Sequence, residues 1–373
     1  MYNIIIKARD TIISFFYKVI LKRIFFLSDP EDVHDRMIGV GKFLGRYAIT
    51  RRTTAFLFSY SHPMLEQNIL GINFFNPISL AAGFDKNAEL IDILPSVGFG
   101  FMEVGSITGE PCAGNPKPRL WRLVKSKALV VYYGLKNDGA EAIAARLKNK
   151  KTTIPLGISI AKTNSEKTIE TEAGISDYVK AYEKFINIGD YCTINISCPN
   201  AYGGQPFTNA ESLEKLLNRI DTILASKPIF LKISPDLNHD EIDGIIEVAG
   251  RHKISGFICT NLTKNRNNEK IKDAAVPEKG GMSGKVVEEL ANELISYIYK
   301  KTNGQFVIIG CGGVFSAKDA YKKIRAGASL VQLITGMIYE GPQVISEINQ
   351  GLISLLARDG FSNISEAVGA DNR

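Results

Sequence analysis

Eight short apolar runs, rich in residues that favour strands, recur along the chain after residue 76. Segments with helical periodicity lie between them, and this alternation is typical of a parallel sheet with helical connections. Eight such units in about 260 residues favour a closed (β/α)8 barrel, or TIM barrel, over an open sheet. The chain also has no GxGxxG turn, which an open dinucleotide-binding sheet usually carries. The predicted strands are residues 77–82, 99–105, 155–160, 191–196, 229–233, 256–260, 306–310 and 330–335.

One insertion interrupts this regular pattern. Residues 108–131 contain the run GNPKPRLWRL and form a hairpin-like segment that is too long for a minimal strand-to-helix loop. Long insertions at the strand ends of barrels commonly shape an active site, so we expect this segment to border one.

The amino terminus differs in character from the rest of the chain. Residues 1–27 are rich in Ile and Phe, but charged residues interrupt them well short of the about 20 apolar residues that span a bilayer. They also lack the small-residue cleavage site of a secretory signal. Helical spacing collects the apolar side chains on one broad face with a basic edge, as in helices that lie in a membrane interface. The alternative is a helix packed on the protein's own core.

The following residues extend this region into a small helical appendage. Asp29 reads as an N-cap and Pro30 as the first position of a helix, whereas residues 51–61 predict a polar linker. The sequence therefore predicts a helical extension over residues 1–70 and a catalytic barrel over residues 71–373. An interfacial helix in the extension would make the protein peripheral to the cytoplasmic face of the cell membrane.

The composition limits the classes of partner and ligand that we expect this protein to bind. The net charge of +6 comes from scattered basic residues with no aromatic-interleaved basic tract, so we expect no nucleic-acid partner. The five cysteines contain no CxxC pair, and the four histidines have no metal-ligand spacing. The sequence therefore predicts a reducing cytoplasm, no disulfide framework and no metal site.

The stretch NISCPN, residues 195–200, carries a reactive group to the end of the fourth predicted strand. Asn195 and Asn200 can each donate and accept hydrogen bonds, which suits a planar ring with imide or carboxylate edges. Cys198 lies between them and can act as a base or nucleophile if its thiolate is favoured. The alternative is a structural cysteine in a strand-end turn.

Two lysines and a glycine turn indicate an anionic ligand at the same end of the barrel. Lys86 follows the first predicted strand and Lys232 lies inside the fifth, where a charge is costly unless an anion pairs with it. The alternative is that both extend to the surface. Gly312 and Gly313 follow the seventh strand, at the usual phosphate site of this fold, with a tight turn as the alternative. The pattern predicts a phosphorylated cofactor and an anionic substrate.

At this point the residues resemble a known family. The motifs AAGFDKN, GNPKPRLWRL, NISCPN, LKISPDL, CTNLT and GGMSG, with the early SDPEDVH, resemble dihydroorotate dehydrogenase over nearly the whole chain after Phe25. The amino-terminal helices look like class 2, the membrane-associated, quinone-reducing branch. The resemblance implies FMN at the barrel mouth, oxidation of (S)-dihydroorotate to orotate in de novo pyrimidine biosynthesis, and a quinone that enters beneath the amino-terminal helices.

The resemblance also implies a role for individual residues. Cys198 is the implied base, and Lys232 is the implied cation that stabilises the reduced flavin. The implied FMN contacts are Ala82, Gly83, Lys86, Ser106, Ser159, Asn195, Lys232, Thr260, Gly284, Gly313, Ile334 and Thr335. The implied substrate contacts are Lys86, Asn195, Asn200, Asn261, Leu262, Gly134 and Leu135.

Several positions depart from the family pattern. Class 2 usually has Ser where this chain has Cys198, a residue typical of the soluble class 1; a thiol ionises far more easily than an alcohol, so the chemistry is retained. Val131 replaces an asparagine and Leu262 a small polar residue in the substrate wall, while Ser159 replaces an asparagine and Ile334 an aromatic. Two alternatives follow. One is a related FMN-dependent oxidoreductase acting on another pyrimidine-like ring, or a weakly active relative; the other is a non-enzymatic barrel retained as a membrane-associated scaffold.

Overall fold

The structure, a computed structural model, describes residues 2–373, with side chains from residue 5 onward. Along these residues the strands are β1 (Gln67–Ile69), β2 (Ile72–Phe74), β3 (Ile78–Leu80), β4 (Phe101–Ile107), β5 (Leu120–Leu123), β6 (Ala128–Val131), β7 (Leu156–Ile160), β8 (Tyr191–Asn195), β9 (Ile229–Ile233), β10 (Gly256–Cys259), β11 (Gly281–Gly284), β12 (Val307–Cys311) and β13 (Leu330–Leu333). The α-helices are α1 (Tyr2–Phe16), α2 (Lys22–Leu27), α3 (Pro30–Arg46), α4 (Ala48–Phe58), α5 (Leu94–Val97), α6 (Ala140–Leu147), α7 (Thr171–Lys184), α8 (Ala210–Asp221), α9 (His239–Arg251), α10 (Glu288–Lys301), α11 (Ala317–Arg325), α12 (Thr335–Glu340) and α13 (Val344–Asp359).

The predicted (β/α)8 barrel is confirmed. Its strands close in the order β10-β12-β13-β3-β4-β7-β8-β9, and each of the eight predicted runs supplies one of them. Neighbouring strands are parallel, so all their carboxyl ends meet at one mouth. The register sets Asn195 at the end of β8 directly beside Lys232 in β9, which brings two predicted site residues together.

Large side chains plug the barrel below that mouth. Phe74, Phe101, Tyr191 and Phe230 form a buried cluster in which the rings pack mainly edge to face. One layer nearer the mouth, the buried Glu103 carboxylate accepts hydrogen bonds from Tyr191, Thr193 and Gln332. The interior is therefore closed at the bottom, and only the mouth is open to a ligand.

The predicted hairpin in residues 108–131 is confirmed as the antiparallel pair β5–β6. Strand β11, which the sequence did not predict, adds to β6 and completes a three-stranded sheet. It consists of Gly281–Gly284, whose short glycine-rich sequence has little strand propensity and depends on pairing with β6.

The amino-terminal helices pack against the outside of the barrel. The predicted cap is confirmed: the Asp29 carboxylate accepts from the backbone N–H groups of Glu31 and Asp32, and Pro30 begins α3. The predicted linker over residues 51–61 is wrong, because α4 occupies most of it. The polar residues there suit a helix, since the Thr53 and Thr54 hydroxyls donate to carbonyls one turn earlier.

Helix α1 turns a polar face towards the protein and an apolar face outward. Asp10 is buried and accepts from Ser346 and Gln350 of α13 at 2.6 and 2.7 Å. Ile12 and Phe15, in contrast, are 68% and 67% exposed. Across the described residues, no helix combines the length and apolar character needed to cross a bilayer.

Candidate active site

A single cavity of about 480 Å³ begins at the barrel mouth and continues beneath the amino-terminal helices. Its inner part, here called the polar chamber, is lined by residues from the strand ends, including Ser106, Asn195, Lys232, Thr260 and Asn261. Its outer part, here called the apolar arm, is lined mainly by α2, α3 and α4. The two parts communicate, so a ligand in one can lie close to a ligand in the other.

Hydrogen bonds fix the carboxamides of the polar chamber. Asn195 Nδ2 donates to Ser106 Oγ at 2.8 Å, and Asn261 Nδ2 donates to Asn195 Oδ1 at 3.1 Å. The Tyr178 hydroxyl donates to the Asn195 carbonyl from α7. Each amide therefore has a fixed orientation, which is the condition for reading the edge of a planar ring.

Cys198 lies on the cavity wall at the turn after β8, half-buried, so the thiol faces the mouth as the functional interpretation required. Burial raises the pKa of this thiol to about 11, while the Asn200 backbone N–H and the Lys162 ammonium act against that rise. A thiol on a cavity wall next to ring-binding amides is placed to exchange a proton with a bound ring.

Lys232 and Lys86 bring positive charge to the same chamber. Lys232 is 4% exposed, and within residues 5–373 its ammonium has no hydrogen-bond or ion-pair partner. Lys86 Nζ lies 4.0 Å from the centroid of the Tyr133 ring, and burial lowers its pKa to about 8. Lys232 is buried and Lys86 half-buried, and neither forms an ion pair with a carboxylate of residues 5–373, so the chamber is suited to anionic ligands.

Glycine turns form the opposite wall. Gly312 and Gly313 have φ angles of 118° and 76°, and an added Cβ at Gly313 would lie 2.3 Å from the Cβ of Glu288. The close packing of this turn on α10 thus excludes a side chain at Gly313, and both glycines line the cavity. Nearby, the Thr335 and Ser283 hydroxyl oxygens are 2.8 Å apart and add hydrogen-bond donors and acceptors to this wall.

The structure places every predicted site residue on the cavity wall except one. Ser159 is fully buried in β7 and reaches the site only through its hydroxyl, which lies 2.8 Å from Ser106 Oγ. The residues that do line the cavity are Ala82, Gly83, Lys86, Ser106, Gly134, Leu135, Asn195, Cys198, Asn200, Lys232, Thr260, Asn261, Leu262, Gly284, Gly313, Ile334 and Thr335.

The substrate wall contains a network that the sequence did not reveal. The Asn200 side chain donates to the Val131 carbonyl at 2.8 Å, and Asn115 Nδ2 donates to the Asn200 carbonyl at 3.1 Å. Asn164 in turn donates to Asn115 Oδ1 at 3.0 Å. These contacts cross from the insertion to two strand-end loops, so no local motif marks them.

The apolar arm was foreseen only as an entry beneath the amino-terminal helices. It is lined by Tyr17, Phe26, Val33, His34, Met37, Leu44, Phe58 and Arg122 among others. His34 Nε2 lies 2.9 Å from the Phe84 carbonyl, and burial lowers the His34 pKa to about 4, which keeps the ring neutral near pH 7. Arg122 donates to the Ser28 carbonyl and brings a positive charge to the cavity wall. Of these residues, Val33 and His34 belong to the SDPEDVH motif and Arg122 to the GNPKPRLWRL motif used in the sequence analysis.

Fold and site together define a (β/α)8 barrel protein with a polar chamber joined to an apolar arm. The model of the dihydroorotate dehydrogenase family matches residues 64–356. A dihydroorotate dehydrogenase (quinone) of Gloeobacter violaceus is 39% identical over 345 residues, covering 92% of this chain and 96% of that protein. One from Natronomonas pharaonis is 42% identical over 309 residues, covering 83% and 86%.

Solved structures agree with these relatives. The dihydroorotate dehydrogenase of Eimeria tenella in complex with ferulenol has a TM-score of 0.83 and 32% identity, and covers 92% of this chain and 96% of its own. The chain therefore belongs to the dihydroorotate dehydrogenase family, and the resemblance inferred from the motifs is confirmed.

Proposed function

We propose that this protein oxidises (S)-dihydroorotate to orotate, with FMN as the flavin and a quinone as the electron acceptor, in de novo pyrimidine biosynthesis. The observation that carries the proposal is the continuity of the cavity from the polar chamber to the apolar arm. The polar chamber suits a charged pyrimidine, and the apolar arm suits a hydrophobic quinone. The family and its quinone-type relatives support the same assignment.

The family is flavin-dependent, and the residues present fit a flavin. The unpartnered Lys232 ammonium suits the electron-rich pyrimidine edge of a reduced flavin. The glycine wall at Gly312–Gly313 and the Thr335 hydroxyl suit a phosphate, and this favours FMN. Bound FMN supplies the hydride acceptor for the reaction.

The chain's own residues supply binding and proton transfer. Asn195 and Asn261 hold the ring edges in fixed orientation, and Lys86 attracts the substrate carboxylate. Cys198, as thiolate, accepts the proton from ring carbon 5 as the hydride leaves ring carbon 6, so the C5–C6 bond becomes a double bond. Closure of the barrel below the mouth keeps water from that side of the site.

Anaerobic flavin reduction tests the proposal. Dihydroorotate should bleach the yellow, flavin-loaded protein, and a soluble quinone should restore the colour. A flavin-loaded sample that stays oxidised with excess dihydroorotate contradicts the assignment.

A second candidate substrate has a specific observation behind it. Val131 and Leu262 make part of the substrate wall apolar, and Asn200 uses its side-chain N–H on the Val131 carbonyl. This wall suits a related pyrimidine-like ring with an apolar substituent in place of the carboxylate. A panel of dihydropyrimidines in the bleaching assay separates the two: this candidate requires an uncharged ring to be reduced faster than dihydroorotate.

We also propose that residues 1–70 form a membrane-associating, quinone-access extension and residues 71–373 the catalytic barrel. The outward apolar face of α1 and α2 supports this, because Ile12, Phe15 and Ile24 are exposed while the polar Asp10 faces the protein. Such a face suits the interface of the cytoplasmic membrane, with Lys7 and Arg23 near lipid phosphates.

Vesicle sedimentation tests this placement. The double substitution Ile12→Asp and Phe15→Asp should abolish binding to anionic vesicles and leave flavin content unchanged. Leu224→Asp, at a 90% exposed leucine remote from the extension, is the matched control and should bind normally. Deletion of residues 1–27 should weaken binding in the same way; a truncated protein that still pellets with vesicles rules out the interfacial helix.

A further inference from the structure

Cys198 lines two cavities. One is the large cavity already described, and the other is a much smaller one bordered by Lys162, Tyr178, Gln205 and Phe207. Of the two, Lys162 lines only the small cavity. The thiol thus borders both the substrate chamber and a cavity that contains a lysine outside the chamber.

Lys162 is a buried cation with little to neutralise it. It follows β7, is 4% exposed, and its ammonium donates to the Tyr202 carbonyl at 2.7 Å. Within residues 5–373 it has no ion pair closer than 4.0 Å. Asp177 is the carboxylate whose charge acts most strongly on Lys162, and it also accepts hydrogen bonds from the Thr163 backbone N–H and hydroxyl. A buried ammonium in this state is costly unless an anion lies near it.

The Cys198 thiolate is a second anion near Lys162, because both side chains line the same small cavity. The charged groups acting on the thiol are Lys162 and Lys264, with Cys112 as a further thiol, and those acting on Lys162 are Asp177 and, less strongly, Cys198. Lys264 is exposed, so solvent screens its charge, whereas Lys162 acts through the protein interior. The Asn200 backbone N–H also favours the thiolate.

We propose that Lys162 is the counter-ion of the Cys198 thiolate and acts as a positioning residue that favours ionisation of the base against the effect of its burial. The catalytic importance of this ion pair rests on the proposed function. Lys162 keeps its proton throughout: the thiolate takes the proton from the substrate carbon, and the neutral thiol later returns it to solvent. Because Lys162 does not line the chamber, it does not compete for the substrate carboxylate.

The first test needs no substrate. Alkylation of Cys198 by iodoacetamide is followed by peptide mass spectrometry across pH in the flavin-loaded protein, since only the thiolate reacts. Lys162→Gln keeps a donor for the Tyr202 carbonyl but removes the charge, and it should raise the alkylation midpoint by about one pH unit or more. Lys162→Arg should restore the midpoint to near its original value.

Lys264→Met is the matched control, because it removes the other lysine near the thiol. Its midpoint should move by less than about 0.3 pH units. An unchanged midpoint in Lys162→Gln, or an equal shift in both variants, overturns the proposal. If Lys162→Gln does not fold, as judged by flavin absorbance and circular dichroism, Lys162→Arg decides: its midpoint must stay near the original value.

The second test separates this inference from the proposed function. The pH profile of anaerobic flavin reduction by dihydroorotate should shift to higher pH in Lys162→Gln, in parallel with alkylation. Bleaching without any shift contradicts the role of Lys162 alone. Absence of bleaching in the unmodified protein contradicts the proposed substrate, while the alkylation result still decides on the ion pair.

Discussion

The polar chamber and the apolar arm are parts of one cavity built on different principles. The chamber is made of strand ends whose side chains bond to one another, as Asn195 does with Ser106 and Asn261. The arm is made of helix faces, and its polar groups, such as His34 and Arg122, bond to nearby backbone carbonyls. Proton and hydride transfer need fixed, desolvated groups, whereas a diffusing hydrophobic carrier needs only an accessible apolar slot. The family can therefore place two half-reactions in one cavity.

The substitution with the largest expected effect removes a reactive group from the polar chamber and leaves the apolar arm unchanged. Cys198→Ala should lower the rate of flavin reduction by dihydroorotate by about 10²–10⁴-fold, because it removes the proposed base. Stopped-flow absorbance measures this rate. Reoxidation of chemically reduced protein by a quinone is the internal control and should be unchanged; loss of both half-reactions would point to misfolding instead.

The converse substitution fills the apolar arm and leaves the polar chamber unchanged. Met37→Trp should slow reoxidation by quinone by about tenfold or more, because overpacking of an apolar slot costs roughly 1–3 kcal/mol. Reduction by dihydroorotate should stay as before. Asp32→Trp, on the exposed side of the same helix, is the control. Equal slowing of both half-reactions by Met37→Trp would contradict the division of the cavity.

A pH dependence should belong to the chamber alone. Burial lowers the pKa of Lys86 to about 8, so the ammonium loses its proton as pH rises through that value. Orotate affinity should then fall by up to about tenfold per pH unit above pH 8, since binding requires the protonated form. Titration of flavin absorbance measures it. In Lys86→Met, binding should be weak and independent of pH, and a persisting slope there would assign the effect to another group.

The smallest expected effect concerns Val131, at which the substrate wall departs from the family pattern. Val131→Asn should lower the KM for dihydroorotate by about fivefold, because one added hydrogen bond contributes roughly 1 kcal/mol. Steady-state kinetics with a soluble quinone measure it. Val124→Asn, an exposed position on the same hairpin, should have no effect. A raised KM in Val131→Asn would favour the uncharged ring as substrate.

Local signals explain why so much of this protein is predictable. Each barrel strand is a mainly apolar run, and the Asp29–Pro30 pair caps α3 through contacts within one turn. The linker prediction is wrong at α4 because a polar composition does not distinguish a loop from a helix. The threonine hydroxyls there donate to carbonyls one turn earlier, which is compatible with a helix. Strand β11 was missed because its pairing with β6 is distant in sequence.

By itself, the sequence determined the barrel, the reactive groups at its strand ends and the family, because periodicity and residue type are properties of short segments. Only the tertiary structure decided that Asn195 lies beside Lys232, that Ser159 stays behind Ser106, and that Lys162 shares a second, smaller cavity with Cys198. The tertiary structure also decided that the polar chamber and the apolar arm form one cavity. These relations depend on barrel closure and on helices docking from the far end of the chain. Proximity between residues far apart in sequence is set by packing, which no local pattern contains.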